Sequence, residues 1–179
     1  VRGHYATSRD VIRWDKPQLG LVEFEGTKAN NRISWFGMGM IHSPDDPDPD
    51  RRYKSLNGKY GRASGDGLSW RNPSGTEEIP GDVASDCVIP FCYDELSERY
   101  VGFPKVVRKS GGHARRSVSV TFSDDFLKWT NAKTILVPDE RDDELARERI
   151  PALRDHLAHD FGPEWHLAPF YGMAGFPYE

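Results

Sequence analysis

Ser8-Arg9-Asp10-Val11-Ile12-Arg13-Trp14, Ser64-Gly65-Asp66-Gly67-Leu68-Ser69-Trp70 and Ser123-Asp124-Asp125-Phe126-Leu127-Lys128-Trp129 share one frame, S-x-D-x-x-x-W. The serines are spaced 56 and 59 residues apart, and the frame holds three of the five tryptophans. The flanks match as well: Trp14 is followed by Asp-Lys-Pro17, Trp70 by Arg-Asn-Pro73 and Trp129 by Thr-Asn-Ala132. A second landmark recurs upstream of the later copies. Arg52-Tyr53-Lys54 and Arg99-Tyr100-Val101 each follow an acidic turn, Asp45 to Asp50 and Asp94 to Glu98. Recurrence at tens of residues is the mark of a repeat architecture.

The frame has a physical basis. An Asp or Ser side chain at a turn accepts backbone N–H groups two or so residues on and closes a compact turn. Gly67 takes a positive φ there without strain, whereas Val11 and Asp125, read as its counterparts, are strained. The Trp then begins the next strand and is expected to pack between neighbouring sheets.

Between the corners lie short segments rich in β-branched and aromatic residues: Val83 to Tyr93, Arg99 to Val107, Ser117 to Phe122 and Thr134 to Val137. The preceding unit runs from about Asn31 through Trp35 to Ile41, then Arg52 to Leu56, Tyr60 to Ala63 and past Trp70. Four antiparallel strands at this period predict an all-β fold, a β-propeller of four-stranded blades. About two blades are complete and two partial. Residues 1–29 end one blade, 30–79 and 80–138 are blades, and 165–179 start the next. Residues 139–164 break the pattern. They are charge-rich, with Leu145, Ile150, Leu153 and Leu157 at roughly helical intervals, and Pro151 divides them. One or two short inserted helices with a solvated charged face are expected, most simply as a connector.

Composition fits this reading. The 179 residues are only 37% hydrophobic, and the mean hydropathy is -0.68. Disorder is nevertheless opposed by 5 Trp, 7 Tyr and 9 Phe, and long helices by 17 Gly and 13 Pro. No apolar run approaches the roughly 20 residues of a membrane-spanning helix. The opening residues read as neither a basic n-region nor an apolar h-region. A net charge of -4 with interspersed signs predicts no broad surface for nucleic acid. Cys87 and Cys92 are five apart, which on one strand puts them on opposite faces and out of disulfide reach, as two free thiols.

At this point the chain resembles a family. Tyr5-Ala-Thr-Ser-Arg-Asp10 through Trp14, Lys16-Pro17-Gln-Leu-Gly20-Leu-Val-Glu-Phe-Glu25-Gly26 and Asn30-Asn31 look like the five-bladed propeller proteins related to invertase, levansucrase and arabinanase. More narrowly they resemble the glycoside hydrolase family-32-like bacterial members. Arg52-Tyr53-Lys54, Ser85-Asp86, Arg99-Tyr100-Val101-Gly102, Arg116-Ser117-Val118, Ser123 to Trp129, Phe170-Tyr171-Gly172-Met173 and Phe176-Pro177-Tyr178-Glu179 look like successive landmarks of that group. The resemblance implies the two-carboxylate hydrolysis of glycosidic bonds, with a third carboxylate that stabilises the transition state. Asp86 matches the position of that third carboxylate; an Asp holding the turn at the start of a strand is the competing reading. Relatives carry the first carboxylate on the innermost strand of the first blade. By that resemblance this chain starts after it, so hydrolysis is expected only in the complete protein.

Blade geometry gathers further candidates at one rim. The start of an inner strand shares an end with the finish of the second strand and the start of the third. That places Asp82, Ser85 and Asp86 beside Arg108 and the Gly111-Gly112-His113 loop, with Arg115 and Arg116 nearby. Asn30 and Asn31 occupy the matching end of the preceding blade, and His166 to Tyr171 that of the following one. Carboxylates, guanidiniums and amides bind hydroxyls, and an aromatic face stacks on sugar C–H surfaces. Asp86 is therefore the expected catalytic residue, with Asn30, Asn31, Arg108, His113, Arg116 and Tyr171 as binding residues. Turn formation by the asparagines and ion pairing by the arginines compete with those roles. Glu179 holds the hairpin-turn place of Asp45 and Asp94 and is left out. No cofactor is expected, and no metal: His4, His42 and His166 have no ligand spacing, and His156-x-x-His159 alone is a weak match.

Carbohydrate is thus the expected partner, with neither nucleic acid nor membrane. Two other readings stand beside hydrolysis: a non-catalytic sugar-binding propeller, and a structural module that self-associates through open sheet edges. A sialidase-type propeller fits less well. Its turn motif sets Gly one residue further from Asp than Asp66-Gly67, and its arginine triad finds no assignment.

Overall fold

The computed structural model describes residues 3–34, 39–83, 89, 91–149 and 167–175. Among these the chain is mostly antiparallel sheet, in three sheets with one helix. The first sheet is small: β1 (Gly3–His4) pairs with β2 (Arg32–Ile33). The second runs β3 (Ile41–His42), β4 (Tyr53–Asn57), β5 (Tyr60–Ser64), and an Ala63–Arg71 bridge extends it by one more pairing. The third contains β6 (Phe91–Asp94), β7 (Arg99–Gly102), β8 (Lys105–Ser110), β9 (His113–Ser123) and β10 (Lys133–Leu136).

Strands β7 and β8 pair with β9 in one register, Gly102 opposite Thr121 and Lys105 opposite Val118. They behave as one strand interrupted at Phe103-Pro104. Pro104 has no N–H to give the ladder, but its carbonyl still accepts the Ser119 amide at 2.9 Å. The third sheet is therefore a four-stranded antiparallel meander, β6, β7 with β8, β9, β10. The two larger sheets match in register. Tyr53 pairs with Ser64 and Tyr100 with Ser123, so each landmark tyrosine faces the corner serine. One strand further, His42 stacks on Tyr53 at 4.4 Å and Tyr93 meets Tyr100 edge-on at 5.0 Å. The stretch expected to open the second sheet is divided: Arg32–Ile33 pairs with β1, and Ile41–His42 with β4.

The three corners are closed by the same hydrogen bonds. Asp10 Oδ1 accepts the amides of Ile12 and Arg13 at 2.9 and 2.8 Å. Asp66 Oδ1 accepts those of Leu68 and Ser69 at 2.8 and 2.7 Å, and Asp125 Oδ1 those of Leu127 and Lys128 at 2.8 and 2.9 Å. Each serine hydroxyl donates to the same carboxylate and accepts the amide three residues on, from Val11, Gly67 or Phe126. Those three residues have φ of 62°, 74° and 64°. The counterpart of Gly67 is therefore Phe126 and not Asp125, because the left-handed position follows the carboxylate that closes the turn.

The indoles differ in burial. Trp14 is 52% exposed and Trp129 only 6%. Trp14 and Trp70 fold back to donate Nε1 to the carbonyls of Val11 and Gly67, at 3.3 and 2.9 Å. Trp129 Nε1 is buried without a hydrogen-bond partner among the described residues. The expectation that each Trp packs between sheets is met at Trp129 and not at Trp14, because burial depends on what stands opposite the corner.

Opposite Trp129 stands the second sheet. Leu56, Ile79, Val83, Ile89, Tyr100, Phe126 and Trp129 form the core between the second and third sheets, with Ile41, Phe91 and Ala132 packed against it. Phe126 is its centre, in ring contact with Phe91, Tyr100 and Trp129. A glycine faces it of necessity: a Cβ on Gly61 would lie 2.7 Å from the Phe126 carbonyl oxygen. Arg51 Nη2 donates to the Asp125 carbonyl at 2.5 Å and ties the same corner to the second sheet. Lys54 is buried in this layer with its ammonium on Asp46 at 2.6 Å and the Arg51 carbonyl at 2.9 Å.

The charged insertion forms α1 (Glu140–Arg149). Its later part, with Ile150, Pro151, Leu153, Leu157 and His156-x-x-His159, lies outside the described residues, as do Trp35, Cys87 and Asp86. Cys92 is a free, half-buried thiol. Residues 167–175 form no strand among themselves. They cross the face of the third sheet that is turned away from the core, where a Cβ on Gly175 would lie 2.5 Å from the Phe103 ring.

Two outcomes follow from the corners. Val11 is 76% exposed in a left-handed conformation that a β-branched residue disfavours, so Val11→Gly should leave stability unchanged or raise it by up to about 1 kcal/mol. Phe126→Gly relieves the same strain but empties the core, and should cost about 2–4 kcal/mol in urea unfolding. The corner carboxylates also set an acid limit. In Asp10 the amides of Arg13 and Ile12 lower the carboxyl below its ordinary value of 3.8. In Asp66 and Asp125 burial pushes the carboxyl up, but the corner amides and the serine hydroxyl outweigh it and the result is again a lowered value. Folded values below unfolded ones give stability that is present above the ordinary value and lost as pH falls through the lowered ones. Unfolding followed from pH 6 to 2 should show that loss below about 4, reduced in slope by Asp66→Ala.

Candidate functional site

The β8–β9 hairpin turns at Gly111-Gly112, both with positive φ (57° and 83°), a conformation open to glycine. Arg99 to Phe122, which contains it, carries six Arg and Lys and no Asp or Glu in a chain of net charge -4. Strand alternation sorts these cations by face. Arg108 pairs across the ladder with Arg115, and Val107 with Arg116.

Arg108 and Arg115 thus stand on one face, like charges directly opposite, an unfavourable pairing on its own. Each is drawn away by a carboxylate. Arg108 Nη1 meets Asp82 Oδ2 at 2.9 Å, and its Nε donates to Thr134 Oγ1 at 2.9 Å. Asp82 is largely exposed, so that pair is weak. Arg115 is buried and holds Asp143 of α1 in a two-pronged pair, 2.9 and 2.6 Å. Asp143 Oδ1 also accepts the Ala168 amide at 2.8 Å. One buried ion pair therefore joins the start of β9, the helix and the returning chain.

Two clefts flank Arg115 and Leu167. The first, about 290 Å³, lies between His113 of the hairpin turn and Glu140, Asp143, Glu144 and Arg147 of α1. The second, about 370 Å³, is lined by Val107, Ala114, Arg115, Arg116 and Leu167 to Pro169. At its side the Phe170 amide donates to the Arg116 carbonyl at 3.0 Å. This carries Tyr171 over the far face, 5.0 Å from the Arg116 guanidinium and 5.1 Å from Lys105 Nζ. Tyr171 remains 54% exposed.

Of the residues expected at a binding rim, Arg108, His113, Arg116 and Tyr171 gather around this hairpin. Asn30 and Asn31 are engaged within the first sheet. Asn30 Nδ2 donates to the Val22 and Thr27 carbonyls and its Oδ1 accepts the Arg32 amide, while Asn31 Nδ2 donates to the Tyr5 carbonyl at 2.6 Å. Their amides close loops. Asp86 lies outside the described residues.

The sequence reading missed Asp143 and Lys105. The acid-free run from Arg99 to Phe122 is a signal for Lys105. Asp143 carries none, being one of several acids on α1 and 28 residues from its partner. At Cys92 burial and the nearby Asp94 raise the thiol above its ordinary value. Among the described residues no group of three or more His, Cys, Asp or Glu is placed to hold a metal ion. No described helix is long and apolar enough to cross a membrane.

Removing one partner of a buried pair leaves the other charge uncompensated. Asp143→Ala should therefore destabilise the chain by about 3–5 kcal/mol in denaturant unfolding. The double exchange Arg115→Met, Asp143→Leu should recover much of that loss; a silent single variant would show that α1 does not hold to β9. Comparison of the chain with protein-family models, with curated proteins and with solved structures finds no match to any of them.

Proposed function

We propose that this chain is a segment of a glycoside-hydrolase-like β-propeller, with the second and third sheets as successive blades, and that it recognises carbohydrate beside the β8–β9 hairpin. One observation carries the ligand: Tyr171 holds an open ring at the side of a cleft whose charged lining, among the described residues, is Arg115 and Arg116. An aromatic face stacks on sugar C–H surfaces while guanidiniums donate to hydroxyl oxygens. The propeller reading is supported by the corner hydrogen bonds found three times and by the matched registers of the two larger sheets.

Hydrolysis of glycosidic bonds belongs, in this proposal, to the complete protein. There one carboxylate attacks or activates water and a second protonates the leaving oxygen. Asp86 is proposed as the third carboxylate, on the resemblance alone. A second reading, a self-associating structural module, draws on β10, where Ile135 and Leu136 of the outer strand and Val137 beyond it are partly exposed.

A broad array of neutral and acidic glycans tests the binding claim. Retention of at least one glycan class is expected, weakened about tenfold or more in Tyr171→Ala with circular dichroism unchanged. No retention across the array would contradict it. Turnover without dependence on Asp86, tested in a longer gene product by reducing-sugar release from fructosides, arabinans and pyranosides, would contradict the role given to that residue.

A further inference from the structure

We propose that the sugar bound here is anionic, bearing a carboxylate that Arg116 reads; this rests on the carbohydrate reading above. Three observations converge on it. The first is the charge sorting of the hairpin. Lys105, Val107 and Lys109 alternate onto one face of β8, and Ala114, Arg116 and Val118 lie opposite them on β9. This face therefore gathers three cations, and it is the face that Tyr171 overlies, close to two of them.

The second is the contrast in partners. Arg108 and Arg115, on the other face, meet Asp82 and Asp143. Arg116 has no carboxylate within ion-pair distance among the described residues, and it is exposed beside the cleft. The third is the lining. Among the described residues the cleft of about 370 Å³ is lined by no Asp or Glu. Arg115 also lines it but is 4% exposed and committed to Asp143, so Arg116 is the guanidinium open to a ligand. A volume near the lower end of ligand pockets suits a short saccharide.

A neutral sugar would give these donors only hydroxyl oxygens. A carboxylate accepts two parallel bonds from one guanidinium, each roughly twice as strong as a neutral one. Tyr171 would stack on the ring while Arg116 holds the acid, with Lys109 adding to the field. The chain as a whole is acidic, so the positive potential is local to this hairpin.

Calorimetry with a matched pair of ligands tests the inference: an α-1,4-linked trisaccharide of galacturonic acid and the galactose trisaccharide of the same linkage. The acid is expected to bind about tenfold or more tightly at moderate salt. That preference should vanish in Arg116→Gln, persist in part in Arg116→Lys, and leave the unfolding midpoint unchanged. Should Arg116→Gln fail to fold, Lys109→Gln gives the second reading, an expected loss of about two- to fivefold for the acid alone. Equal affinity for the two trisaccharides would overturn the charge inference and leave carbohydrate recognition standing. Retention of other neutral glycans with neither trisaccharide bound would do the same, whereas no glycan bound at all would overturn both. Inorganic tripolyphosphate binding as tightly as the acid sugar would also overturn it, by showing a bare anion site.

Discussion

A single aspartate oxygen taking two backbone amides organises the described chain. The bond pair at Asp10, Asp66 and Asp125 closes a turn too tight for ordinary backbone and forces the next residue into the left-handed region. Where that residue is Gly67 the turn forms without strain. Where it is Phe126, the same backbone directs a large ring into the layer between sheets, and the corner becomes the centre of the core. Local hydrogen bonding and tertiary packing are thus one event at Phe126. At Val11 the strain persists with little burial in return.

The consequences spread through contacts of different strength. Phe126 requires Gly61, whose missing side chain lets the corner approach the second sheet, and Arg51 adds a bond from that sheet to the Asp125 carbonyl. Lys54 is tolerated in the same layer because its ammonium is matched by Asp46 and a carbonyl. The opposite end of the third sheet is held differently. There the Arg115–Asp143 pair fastens a helix of very polar composition, which has little apolar surface of its own to bury. The cleft beside Tyr171 lies at this end, bounded by strand residues on one side and the returning chain on the other.

Much of this was legible in the residues. Serine, aspartate and tryptophan at fixed offsets announced the corners, since each residue type has a specific part in an Asx-type turn, and the strands between them followed from β-branched and aromatic content. A helix was legible in the charged segment, although of the spaced apolar residues only Leu145 lies in the described α1. Other features depend on what lies opposite in space. The indoles of Trp14 and Trp129 occupy the same place in the turn and differ because only one faces a sheet. The partner of Arg32–Ile33 is β1, which pairing signals in a two-residue strand cannot specify. Arg108, Arg116 and Tyr171 lie near one hairpin, Arg108 on the face opposite the other two, whereas Asn30 and Asn31 have the composition of ligands and the hydrogen bonds of loop residues.

The central claim is that three corners share one circuit. Amide hydrogen exchange read by NMR tests it most directly, because the donors are single identified N–H groups. Protection of Ile12 with Arg13, Leu68 with Ser69 and Leu127 with Lys128, well above their exposed neighbours, is the expected pattern. Free exchange at any of these pairs under conditions where β9 stays protected would contradict it.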